Sequence, residues 1–169
     1  MKKKLAGLAA LGLMAMARAA EPDYTVIRIE IDIARPAAEV WSKVGGYCDI
    51  SKWLDNVDCQ LTRGDGQIGS IRALTGGRFA GNRVVEIMIA KTALSYGYTQ
   101  PAEQGKFFNM YHGFMEAVPV NARSSKVVYT LFVDESDKPD QAAKDADIAR
   151  RRGNFETALK KIKQVSEAK

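Results

Sequence analysis

The chain has 169 residues, with 25 Lys and Arg against 20 Asp and Glu and a formal net charge of +5. This length is typical of one domain that is large enough to bury a core. Four of the basic residues lie within the first 19 positions, and without them the net charge falls to about +1. The rest of the chain therefore lacks the clustered positive excess of a nucleic-acid-binding surface, and we expect no nucleic acid partner.

The first 19 residues have the pattern of a cleavable export signal. Lysines at positions 2–4 precede an apolar run over residues 5–17, and Ala17-Arg18-Ala19 supplies the small residues that a signal peptidase recognises. The run is shorter than the roughly 20 residues of a membrane span, although an N-terminal anchor helix is the alternative. We therefore predict a signal peptide over 1–19, a mature domain over 20–169, a periplasmic or secreted location and no stable membrane insertion after cleavage.

The first elements of the mature chain are a strand and two short helices. Isoleucines at every second position from 27 to 33 alternate with charged residues, which predicts a half-buried antiparallel strand over 24–33. Pro36 suits the start of a short helix over 37–44, which Gly45-Gly46 ends. Asp49 is placed to cap a second short helix that reaches Leu54.

Cys48 and Cys59 are the only cysteines. An oxidising compartment permits a disulfide between them, but we favour two buried free thiols. With a single histidine in the chain, the two thiolates lack the further ligands that zinc needs, so no metal site is predicted.

Six further strands and a long helix complete the pattern. Alternating apolar residues between Gly, Pro, Asn and Ser turn signals predict strands over 57–62, 70–74, 84–90, 94–99, 106–118 and 126–133. Residues 141–167 carry an apolar stripe at helical spacing, formed by Ile148, Phe155, Leu159, Ile162 and Val165. An antiparallel sheet with one helix on its face would bury both apolar surfaces, which predicts an α+β fold.

This order resembles the START-like or Bet v 1-like superfamily (SRPBCC), and most of all its bacterial polyketide cyclase/dehydrase-type group. The similarity covers residues 24–167, and its motifs are the stretches Arg35–Trp41, Tyr47–Trp53, Gly69–Arg72, Glu86 and Tyr96–Tyr98. It implies a helix-grip fold, in which a curved seven-stranded antiparallel sheet (β-α-α-β6-α) surrounds the last helix. An internal apolar cavity is expected between them, flanked by the loop over 100–105. The loop over 75–82 is expected to act as its gate, with an ordinary mobile hairpin tip as the alternative.

The chain departs from the plant hormone receptors of this superfamily. Leu54 stands where those receptors place a ligand-pairing lysine, and their latch motif has no counterpart near residues 104–108. An acidic hormone and a phosphatase partner therefore do not carry over.

The resemblance also suggests which residues line the cavity, with ordinary core packing as the alternative for each. The candidates are Trp53, Val57, Leu74, Tyr98, Tyr111, Met115, Tyr129, Asn154, Phe155 and Ala158, with Gly113 leaving room on its strand. No catalytic set is predicted, and the weak candidates are Arg72, Glu86 and His112. Arg72 and Glu86 lie on neighbouring strands, which favours a plain ion pair, and the strand alternation puts His112 outside the cavity.

We therefore predict an exported binding protein for a small hydrophobic or amphipathic ligand, lipid-like or polyketide-like, without cofactor or metal. One alternative is a cyclase-, aromatase- or hydrolase-type enzyme that acts on a similar substrate. Another is a protein-interaction module whose last helix or gate loop binds an unknown partner.

Overall fold

The computed structural model describes residues 21–101 and 110–168. Its elements are β1 (Tyr24–Ile33), α1 (Ala37–Val44), α2 (Ile50–Trp53), β2 (Val57–Arg63), β3 (Ile71–Gly76), β4 (Val84–Lys91), β5 (Ser95–Thr99), β6 (Tyr111–Asn121), β7 (Ser124–Asp134) and α3 (Gln141–Glu167). This order matches the predicted one. The predicted signal peptide lies outside the described residues. Residues 102–109 do too, and they include the first four residues of the strand predicted over 106–118.

The seven strands form one antiparallel sheet in the order β1-β7-β6-β5-β4-β3-β2. β1 and β2 follow each other in the chain, yet they lie at opposite edges, so α1 and α2 carry the chain from one edge of the curved sheet to the other. The predicted helix-grip α+β fold is confirmed.

The long helix α3 packs its apolar stripe against the sheet. Phe155, Leu159 and Ile162 are buried, and Ile148 and Val165 are partly buried against the same core. The helix begins after Asp140, whose carboxylate accepts a hydrogen bond from the Ala143 backbone N–H at 2.8 Å. Such a cap satisfies one of the free donors of the first turn and so fixes where the helix starts.

The end of α3 is held by α1. Lys43 donates hydrogen bonds from Nζ to the carbonyl oxygens of Ser166 and Ala168, at 3.0 and 2.8 Å. A cation at a helix C-terminus also interacts favourably with the helix dipole. α3 is thus fixed at both ends, which sets its position across the sheet. Among the described residues no helix is both long and apolar enough to cross a membrane.

Two local predictions were wrong. Cys48 and Cys59 form a disulfide, with a Cα–Cα distance of 5.4 Å, instead of two free thiols. Asp49 does not cap α2, because its carboxylate accepts from the Gly46 backbone N–H at 2.7 Å. The strand predicted over 57–62 is present as β2, but its Leu61 is 38% exposed, because β2 is an edge strand and its pairing register shifts between Leu61 and Arg63.

Candidate ligand-binding site

A cavity of about 470 Å³ opens where α3 crosses one end of the sheet. We call it the large cavity. The loop between β3 and β4, the ends of β5 and β7, and the start of β6 contribute to its wall opposite α3. Antiparallel strands that diverge around a helix leave such a space where side chains do not fill it, and volumes of 300–1,000 Å³ are typical of small-molecule sites.

The apolar part of the large cavity comes from both layers of the fold. Its side chains are Phe79, Val84, Pro101, Met110, Tyr111, Val133 and Phe155. Phe155 is packed from behind by Tyr129, at a centroid distance of 4.6 Å, and Tyr111 lies 6.2 Å from Tyr98. Because buried rings support them, these aromatic surfaces are preformed.

The rim of the large cavity is polar and charged. Arg150 and Arg151 of α3 both bind Asp147, and the Arg151 guanidinium lies 5.4 Å from the Tyr111 ring centre. Partial burial disfavours the ionised form of Asp147, but the hydrogen bonds from both arginines outweigh it and lower its pKa to about 2. The arginines are therefore held in place by a carboxylate that stays charged at neutral pH.

Glu135 lies just behind this rim. Its side chain is fully buried, and among the described residues neither of its carboxylate oxygens has a hydrogen-bond partner that meets normal geometry. Burial, followed by the charge of Asp147, raises the pKa of Glu135, although Arg151 and Lys138 lie within 4 Å.

A small cavity of about 210 Å³ lies on the other side of Arg78. Trp53, Val57, Ala158 and Lys161 contribute to its wall, and Arg78 and Asn154 line both cavities. The Arg78 guanidinium is 5.0 Å from the ring centres of both Phe79 and Phe155, within cation–π range. Arg78 thus separates the two cavities.

Behind the large cavity the interior is occupied by a buried ion pair. Arg72 donates from Nε to Glu86 Oε2 at 2.8 Å, its Nη2 lies 2.6 Å from the same oxygen, and Nη1 donates to the Tyr47 carbonyl. Its guanidinium lies 4.3 Å from the Tyr47 ring centre. Burial opposes the charged form, but the Glu86 carboxylate outweighs it and raises the pKa of Arg72. The ion pair that the sequence favoured for these two residues is therefore present.

Tyrosine side chains fill the rest of this interior. The hydroxyls of Tyr98 and Tyr129 hydrogen-bond at 2.9 Å, and both residues are almost fully buried. Burial raises the pKa of both well above the ordinary tyrosine value, so these hydroxyls stay protonated at neutral pH. A Cβ at Gly113 would meet the Tyr98 ring at 2.3 Å, so the glycine makes room for a tyrosine and not for a ligand.

The structure divides the predicted lining residues into three groups. Tyr111, Asn154 and Phe155 line the large cavity. Trp53, Val57 and Ala158, again with Asn154, line the small one. The remaining candidates lie in the packed core: Leu74, Tyr98, Gly113, Met115 and Tyr129. Aromatic side chains thus take up part of the space that the family resemblance assigned to a cavity.

His112 does not line either of these cavities. It pairs with Thr99 and Phe132, while its neighbours Tyr111 and Gly113 point to the interior. Burial lowers its pKa, so the imidazole is neutral at neutral pH. Within the described part of the chain no group of histidine, cysteine, aspartate and glutamate residues could hold a metal ion.

Sequence reasoning did not single out Arg78 and Gln100, although both line the large cavity and lie in the loops that were expected to gate and to flank it. Gln100 had a usable signal, because Tyr96 and Tyr98 point inward and a period of two continues to residue 100. For Arg78 the expected gate loop was the only indication, since the residue lies in a short 3₁₀ turn, Gly77–Phe79, where no periodicity fixes the direction of a side chain. Residues 102–105 of the predicted flanking loop lie outside the described residues.

This architecture is that of the Bet v 1-like (SRPBCC) superfamily, in which a sheet grips a long C-terminal helix. The family model described as "Polyketide cyclase / dehydrase and lipid transport" matches residues 24–167. The chain therefore belongs to this family, and its function is of a ligand-binding or cyclase type.

Solved structures give the same fold at low sequence identity. An uncharacterised protein from Bacillus thuringiensis superposes with a TM-score of 0.67 at 19% identity, over 85% of this chain and 100% of that one. The Zhui aromatase/cyclase from Streptomyces sp. R1128 gives 0.65 at 18%, over 86% and 94%. Norcoclaurine synthase from Thalictrum flavum gives 0.62 at 16%, over 86% and 96%. The comparison with curated proteins finds no match.

Proposed function

We propose that the protein is an exported binding protein that holds a small hydrophobic or amphipathic molecule in the large cavity. The observation that carries the proposal is the composition of that cavity, in which aromatic and aliphatic side chains lie beside charged and amide side chains. Such a wall stabilises an apolar body by removing it from water, while the rim can contact a polar group that stays near solvent.

The arrangement of the buried polar groups favours binding over catalysis. Arg72 and Glu86 are bonded to each other and are at most 3% exposed, so neither offers a free group to a molecule in the cavity. The Tyr98 and Tyr129 hydroxyls are likewise bonded to each other. General acid–base catalysis needs a group within hydrogen-bond reach of the substrate, and these four side chains lack that access.

Two features support export. Residues 1–19 carry the charged, apolar and small-residue segments of a signal peptide. The Cys48–Cys59 disulfide is of the kind that persists in the periplasm or outside the cell and is rare in the cytosol.

The proposed function is tested by native mass spectrometry of protein purified gently from the bacterial periplasm, followed by solvent extraction. We expect a reproducible added mass that extracts as one lipid-like compound. Tyr111→Trp should remove it, because a larger ring would occupy the cavity. Tyr24→Trp is the matched control, since Tyr24 is 50% exposed on β1.

An added mass that persists in Tyr111→Trp would show that the ligand lies elsewhere. Protein that carries no added mass but converts a supplied hydrophobic substrate would favour the cyclase-type alternative.

A further inference from the structure

Gln100 connects the large cavity to the buried ion pair behind it. Its backbone N–H donates to the Tyr111 carbonyl at 3.0 Å, just beyond the last residue of β5, which holds the main chain beside β6. Its side-chain Nε2 donates to Glu86 Oε1 at 3.2 Å. The residue is half-buried and lines the cavity near Tyr111.

The Glu86 carboxylate fixes which end of the Gln100 amide faces it. An ionised carboxylate has no hydrogen to donate, so only the NH₂ end of a glutamine can bond to it. The other Glu86 oxygen, Oε2, accepts from Arg72 Nε at 2.8 Å and lies 2.6 Å from Arg72 Nη2, so the carboxylate faces a fully buried guanidinium on that side. If the Gln100 amide rotated by half a turn, Nε2 would lose its hydrogen bond to Glu86. The Gln100 carbonyl oxygen would then face a carboxylate oxygen of Glu86, and neither atom can donate a hydrogen bond.

The Gln100 side chain lines the large cavity, and its Nε2 is bonded to Glu86, so among the described residues its carbonyl oxygen is the group that remains to accept a hydrogen bond from a ligand. A fixed acceptor in a half-buried site discriminates strongly between ligands with and without a hydrogen-bond donor. A ligand without a donor removes the acceptor from water and leaves it unpaired, which weakens binding.

From this geometry we infer that Gln100 selects ligands that carry a hydrogen-bond donor, a hydroxyl or an N–H, on an aromatic or apolar body. The inference rests on the proposed function, since it names the class of ligand that the large cavity takes. Glu86 and Arg72 act through Gln100 as positioning residues. The buried ion pair therefore orients the Gln100 amide in addition to packing in the core.

The test compares two probes of almost equal shape. 2-Naphthol donates a hydrogen bond through its hydroxyl, whereas 2-methoxynaphthalene only accepts one and is the more hydrophobic of the two. Hydrophobic burial alone would favour the methoxy compound. We expect the wild-type protein, in calorimetric titrations, to bind 2-naphthol about tenfold more tightly, the effect of one hydrogen bond of about 1.4 kcal/mol.

Gln100→Met keeps the length of the side chain and removes the acceptor, so 2-naphthol should then bind no more tightly than 2-methoxynaphthalene. Wild-type protein that binds both probes equally would overturn the role of Gln100 and leave the proposed binding function intact. A preference for 2-naphthol that survives in Gln100→Met would overturn it too, because the acceptor would then lie elsewhere. Failure of the wild-type protein to bind either probe would count against the proposed binding function itself.

Discussion

Gly113 shows how one residue decides what fills the interior. It lies on β6 opposite Leu131, and the Tyr98 ring occupies the position that a side chain would take. A larger residue there would displace the ring and break the hydrogen bond between Tyr98 and Tyr129. The glycine therefore keeps this part of the core closed and confines the large cavity to the end of the sheet.

Gly113→Ala is expected to destabilise the protein by about 1–3 kcal/mol, because the new Cβ would lie 2.3–2.5 Å from the Tyr98 ring in a packed core. Gly153→Ala is the matched control, since a Cβ added to this exposed residue of α3 would have no atom within 4 Å. In the helix the alanine should stabilise by about 0.5–1 kcal/mol. Urea unfolding measures both, and equal effects of the two substitutions would contradict this account.

At the scale of elements, long periodic segments were predictable and edges were not. The stripe from Ile148 to Val165 fixes a helix with the observed bounds because it persists over several turns. Leu61 is exposed although its position in the alternating pattern is that of an inward-facing residue. It lies on an edge strand, which has a neighbouring strand on one side only, and the sequence does not show which strands lie at the edges. The cavity was misplaced towards Leu74 and Met115 for a related reason. Whether aromatic rings or a ligand fill a core depends on packing between distant strands.

The junction of β7 with α3 contains Glu135, whose folded pKa is raised from 4.5 by burial and by Asp147. Between the unfolded and the folded pKa the folded state binds more protons, so this carboxyl makes the protein less stable as the pH rises. Glu135→Gln removes this loss of stability with rising pH, because a glutamine side chain does not titrate. We expect the variant to gain stability relative to wild type as the pH rises above about 4.5, as measured by urea unfolding at each pH.

Asp137→Asn, in the same loop, controls for the removal of one negative charge. If Glu135→Gln instead loses stability relative to wild type as the pH rises, then attraction to Arg151 and Lys138 outweighs burial at this site.

At the scale of the whole molecule, the disulfide connects stability to the compartment. Cys48 precedes α2 and Cys59 lies on β2, so the bond closes the segment that contributes Trp53 and Val57 to the small cavity. A bond between residues 11 apart should contribute about 2–3 kcal/mol, because it restricts the unfolded chain. The folded domain should therefore be more stable after export than in a reducing cytosol.

Expression of the whole chain in a bacterium, beside a variant that lacks residues 2–19, tests this connection. We expect the whole chain to reach the periplasm, to begin near residue 20 and to have a mass two hydrogens below that of its reduced form. The variant should stay in the cytosol with free thiols and unfold at lower urea concentration. Reductant should abolish the difference in stability. A cytosolic, full-length product from the whole chain would refute export, and equal stability of the oxidised and reduced domains would refute the role of the disulfide.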